Sequence, residues 1–133
     1  MESQFRSALV AWLRADSVLT SMVNAIEEEG PLATSPPAIA IVASASADWS
    51  TKTAIGREVR LALELLDRSD ASETTAEIVA RIEQRIATLP ADQGAFRVVV
   101  TQFLRSRAER RKRSMRAVLL EYRFKLITTE NQP

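Results

Sequence analysis

At 133 residues and a net charge of +1, the chain has the length of one domain, residues 1–133, with a core that buries roughly two-thirds of its unfolded surface. Its 46% hydrophobic and 26% charged content is that of a soluble globular protein, and no apolar run approaches the roughly 20 residues of a membrane span, so no membrane partner is expected. The absence of Cys and His removes disulfides, thiolate zinc sites and His-dependent triads, and no metal or cofactor is expected.

Met1-Glu2-Ser3-Gln4 lacks the basic and apolar regions of a signal peptide. From about Glu2 to Glu28 the chain reads as helix. Phe5, Leu9, Trp12, Leu13, Val18, Leu19, Met22 and Ile26 recur at spacings near three and four. Asp16-Ser17 fits the start of a second short helix, because both side chains can accept free amides. One helix and a broken helix both fit the pattern. Gly30-Pro31 is expected to end it, and Ser35-Pro36-Pro37 to keep the chain extended.

Ala38–Ser46 reads as a strand with Ile39, Ile41 and Ala43 on one face. The polar loop Asp48–Thr53 follows. Ile55–Asp67 is a second strand, in which Val59, Leu61, Leu63 and Leu65 alternate with Glu58, Arg60, Ala62 and Glu64. That strict period of two predicts one buried and one wet face.

Asp70-Ala71-Ser72-Glu73 has the form of a capping box. The helix behind it carries Ile78, Val79, Ile82, Ile86 and Leu89 as its apolar stripe. Glu77, Arg81, Glu83 and Arg85 are expected to face water, and Pro90 to stop it. Phe96 to about Arg105 and Met115–Ile127 read as the last two strands. The tail, residues 128–133, is expected to fray. The order α-β-β-α-β-β predicts an α+β fold with two layers. Its sheet has four strands, mainly antiparallel, with two helices packed on one face.

Two segments are candidates for function. The first is Asp48, Trp49, Ser50, Thr51, Lys52 and Thr53. The loop is longer than a tight hairpin needs and carries one large amphipathic ring, the composition of a protein-interaction surface. The plainer reading is a hairpin turn whose Trp49 folds back onto the sheet. Thr51, Lys52 and Thr53 are expected to have free hydrogen-bond donors. The second segment contains Arg105, Arg107, Arg110, Arg111, Lys112, Arg113 and Arg116. Only Glu109 opposes them within the segment, so it carries +6 and leaves the remainder at −5. It fits phosphate contact, docking onto an acidic protein surface, or a solvated hairpin tip. No aromatic residue interleaves the cluster, so it lacks a base-stacking platform.

Enzyme chemistry finds no footing. Ser44, Ser46 and Ser50 have no His partner, Glu27-Glu28-Glu29 reads as a solvated helix end, and Gly30, Gly56 and Gly94 build no phosphate loop.

The chain resembles the phage tail-completion family, the small tail-terminator proteins of long-tailed phages, prophages and gene-transfer agents. The resemblance spans nearly the whole chain. It runs from Leu9-Val10-Ala11-Trp12-Leu13-Arg14-Ala15-Asp16, through Pro36-Pro37 and Ala38-Ile39-Ala40-Ile41, to Asp48-Trp49-Ser50-Thr51-Lys52-Thr53 with Gly56 and Glu58. The strand Val59–Leu66, the helix after Asp67-Arg68 and the closing strands complete it. The Arg- and Lys-rich tip departs from the family's short one.

The resemblance implies a non-enzymatic structural protein of virion assembly. Its copies form a ring, a hexamer, on the head-proximal end of the tail tube. The ring stops tube polymerisation and joins tail to head. The implied partners are further copies of the chain, the tail-tube protein and a neck or connector protein, with DNA passing through the lumen without sequence-specific binding. The implied location is the virion or phage-like particle, and the bacterial cytoplasm during assembly. The alternative is a nucleic-acid-binding α+β module that uses residues 105–116.

Overall fold

The structure, a computed structural model, describes residues 1–29 and 35–129. The expected Gly30-Pro31 terminator and residues 130–133 of the expected tail lie outside them. In chain order the elements are α1 (Glu2–Arg14), α2 (Ser17–Met22), β1 (Ala25–Glu27), β2 (Ala38–Asp48), β3 (Gly56–Arg68), α3 (Ser72–Ala87), β4 (Phe96–Arg111) and β5 (Met115–Thr128).

The α+β class holds, but the sheet is mixed and five-stranded, in the order β1-β2-β3-β5-β4. Among the described residues three helices replace the expected two. β1 runs parallel to β2, and the other neighbours are antiparallel. The extra helix and strand both come from the Glu2–Glu28 segment. The Asp16 side chain accepts from the Val18 amide and caps α2, so the broken-helix reading is the right one. Ile26 is on a strand and not on the helical stripe. The Asn24 amide donates to the Pro37 carbonyl, and the Asn24 side-chain amide donates to the Ser35 carbonyl. These bonds set Ile26 opposite Ile39 in the ladder.

The helices share one face of the sheet with the apolar alternation of its strands. Val59, Leu61, Leu63 and Leu65 of β3 meet Leu120, Tyr122, Phe124 and Val118 of β5 in the core. Phe5 of α1 closes the cluster, 4.6 Å from the Phe124 ring centroid and 6.5 Å from that of Phe96.

Two expectations about α3 are corrected. Asp70 is not its cap: Ala71 occupies the N-cap without a side-chain bond. The buried Asp67 anchors this end instead, accepting from the Arg68 amide at 2.8 Å and the Thr75 hydroxyl at 2.7 Å. Nor do Arg81 and Arg85 simply face water. Arg81 donates to both oxygens of Asp16 at 2.6 and 2.7 Å. That pairing holds the buried Asp16 carboxyl below its usual range. Arg85 lies 3.4 Å over the Trp12 ring and donates to the Trp12 carbonyl, while the Trp12 indole donates to the Arg85 carbonyl. These contacts clamp α1 and α2 to α3.

Candidate interaction surfaces

The first candidate sits at the β2–β3 hairpin. The ladder ends at the pair Asp48–Arg57, and the Trp49 amide extends it by donating to the Gly56 carbonyl at 3.0 Å. Ser50 ties the base of the loop. Its hydroxyl donates to Asp48 Oδ1 at 2.6 Å and accepts from the Gly56 amide at 3.0 Å. The Ser50 hydroxyl, its amide and Arg57 hold the Asp48 carboxyl below its usual range.

Thr51 organises the tip. Its amide donates to the Ala54 carbonyl, and its hydroxyl oxygen accepts from the Thr53 and Ala54 amides. These bonds shape the tip, at which Thr51, Lys52 and Thr53 are all exposed. Gly56 is needed for close approach, because a Cβ there would lie 2.6 Å from the Trp49 carbonyl oxygen. Trp49 is half-buried on the helix-free face, with the Lys125 ammonium 5.0 Å from its ring centroid. The loop therefore presents one anchored ring and three exposed polar side chains at its tip. The folded-back ring belongs to the plainer reading, and its remaining exposure leaves it open to a partner.

The second candidate was expected as a stretch between two strands, and it is mostly strand. Arg105–Arg111 is the far half of β4, in register with Met115–Glu121 of β5. The connection is only Lys112-Arg113-Ser114, with φ of 64° at Arg113 and 58° at Ser114. The seven cations divide into two sets. Arg105 pairs with Glu121, and Arg111 with Glu64 at 3.0 Å and with Glu109. Arg107 reaches Glu109 only at 3.9 Å. Arg110, Lys112, Arg113 and Arg116 have no ion-pair partner among the described residues. Arg110 and Arg116 are also ladder partners, an unfavourable juxtaposition of like charges. The unpaired charge is thus concentrated at the tip.

Sequence reasoning missed the sheet edges. β4 is an edge strand, and Val99, Phe103 and Leu104 expose 43%, 42% and 39% of their surface there. Bulges at Val99 and Leu104 break the alternation that would have marked a buried face. On the opposite side β1 pairs, among the described residues, with Ala38–Ala40 of β2. A cleft of about 660 Å³ opens next to that point, with Glu28, Glu29, Val42 and Ser44 in its wall.

No group of three or more His, Cys, Asp or Glu among the described residues is placed to hold a metal ion. No helix among them is long and apolar enough to cross a membrane.

The family model described as tail completion protein gp17 matches residues 7–126. A chain from the solved structure "Virion of native gene transfer agent (GTA) particle" is similar, at 27% identity and a TM-score of 0.75. The match covers 92% of this chain and 93% of that one. No curated protein matches the chain in sequence.

Proposed function

Because the chain belongs to the tail completion protein gp17 family, we propose that it closes the head-proximal end of a phage-like tail tube as a ring. The family and the virion match make the chain a structural protein in the tail of a phage-like particle. On the proposed reading, copies assemble head-to-tail into a hexameric ring and stop tube polymerisation. They then offer a new surface to the neck or connector, and DNA passes through the lumen.

The observation that carries this reading is the family match over residues 7–126, joined to a shared fold along nearly all of both chains. On this reading residues 1–133 act as one structural unit without catalysis. Trp49 with Lys52 and Thr53 contacts a neighbouring protein. The unpaired cations at the β4–β5 tip meet an acidic protein surface. DNA is the less favoured partner for that tip, because each phosphate contact steepens salt dependence and would slow passage through a lumen.

Removal of the chain from particle-producing cells tests the proposal. Overlong tubes and detached heads are expected, both restored when the chain is supplied again. Tails of normal length joined to heads without it would refute the reading.

A further inference from the structure

The two edges of the sheet are unlike, and their differences match. On one side, Ile41–Asp48 of β2 has no strand partner on its outer edge among the described residues. That stretch is built from small residues, Ala43-Ser44-Ala45-Ser46-Ala47, after the exposed Val42. On the other side, the outer edge of β4 is bridged only at its start, where Arg97 faces Asp92 and the Val98 amide donates to the Ala91 carbonyl, so Val99–Arg111 is open among the described residues, and the strand contains no Pro. Unpaired edges of this length are templates for another strand.

Strand polarity matches first. β2, β3, β5 and β4 alternate in direction, so β4 runs opposite to β2. A second copy set beside the first in the same orientation brings its β2 antiparallel to the first copy's β4. Height matches next. Across the ladder Ala47, Glu58, Lys125 and Val100 form one row, and Ala43, Ala62, Glu121 and Arg105 form another. Val100–Arg105 therefore stands level with the open Ala43–Ala47 edge. Charge matches last. Glu27 lies in the same row as Ala40, Glu64, Leu119 and Arg107. The acidic run Glu27-Glu28-Glu29 on one edge is thus level with the cationic half of β4 on the other.

We propose that β4 of one copy adds antiparallel to β2 of the next. Its Val99–Leu104 half lies against Ala43–Ala47, and its cationic half lies beside the Glu27–Glu29 run of that copy. The inference rests on the ring reading and gives it a specific interface. The contact is head-to-tail, so it closes when the rotation per copy is right. It covers Val99, Phe103 and Leu104 and removes both open edges together.

The chain has no Cys, which makes cross-linking clean. Ala45 and Gln102 share one row and are both exposed. Within one copy they are three strand spacings apart, roughly 14 Å. That exceeds the disulfide limit of about 7 Å between Cα atoms. Between copies they meet. Particles carrying Ala45→Cys with Gln102→Cys are oxidised and run on a non-reducing gel. A second pair, Ala47→Cys with Gln102→Cys, covers a shift of one pleat. A ladder of covalent multimers is expected from one of the pairs, with monomer from each single variant. Monomer from both pairs, in particles that still show a ring, would overturn the edge pairing and leave the ring standing. Particles with normal tails but no ring would overturn the ring reading and the edge pairing together.

Discussion

β5 lies between β3 and β4 and buries Val118, Leu120, Tyr122, Phe124 and Leu126 against the helices. β4, its hairpin partner along the full length, buries only Phe96 and Val98. The two strands share a ladder but not a role. A central strand is covered through its position in the sheet, so its side chains hold the fold. An edge strand that runs on past the core keeps its backbone edge and side chains available. Folding and assembly can therefore be separated by mutation within one hairpin.

The largest effect is expected in β5. Phe124→Ala removes a fully buried ring that packs on Phe5 and should cost about 3–5 kcal/mol in chemical denaturation. A loss near 1 kcal/mol would mean that β5 holds the fold no more firmly than β4 does. Trp49→Ala comes next, and its effect should appear in assembly. A half-buried Trp at a protein contact carries about 2 kcal/mol, roughly thirtyfold in affinity, so tail joining should fall while the fold persists. Unfolding of this variant would make Trp49 a core residue. Phe103→Ala, on the edge, should cost only about 1 kcal/mol of stability, the value of its edge-on contact with Tyr122. The smallest effect on folding belongs to the tip. Arg110→Ser, Lys112→Ser and Arg113→Ser together should leave Tm unchanged, because exposed charges contribute little to folding. Head–tail joining should drop for this triple variant at both low and moderate salt. Normal joining at both would make the tip a solvated turn.

The same contrast explains what the sequence reveals. β3 and β5 are legible because one face of each is buried, which imposes a period of two on Val59–Leu65 and Val118–Leu126. The far half of β4 is wet on both faces, so Arg105–Arg111 shows no period and reads as a connector. β1 buries only Ile26, and one buried residue fits a helix as well as a strand. Arg81 and Arg85 look solvated because their charge is visible while their partners, Asp16 and Trp12, are about 70 positions away. Trp49 stands out in its polar loop, but composition does not show that Asp48, Ser50 and Thr51 spend their hydrogen bonds on the loop itself.

The decisive observation is where the chain sits in the particle. Electron microscopy of intact particles, with the sheet and three helices fitted to density, should find copies in a closed ring between the tail tube and the neck. Density for the chain at the distal tail tip or on the capsid shell would contradict it.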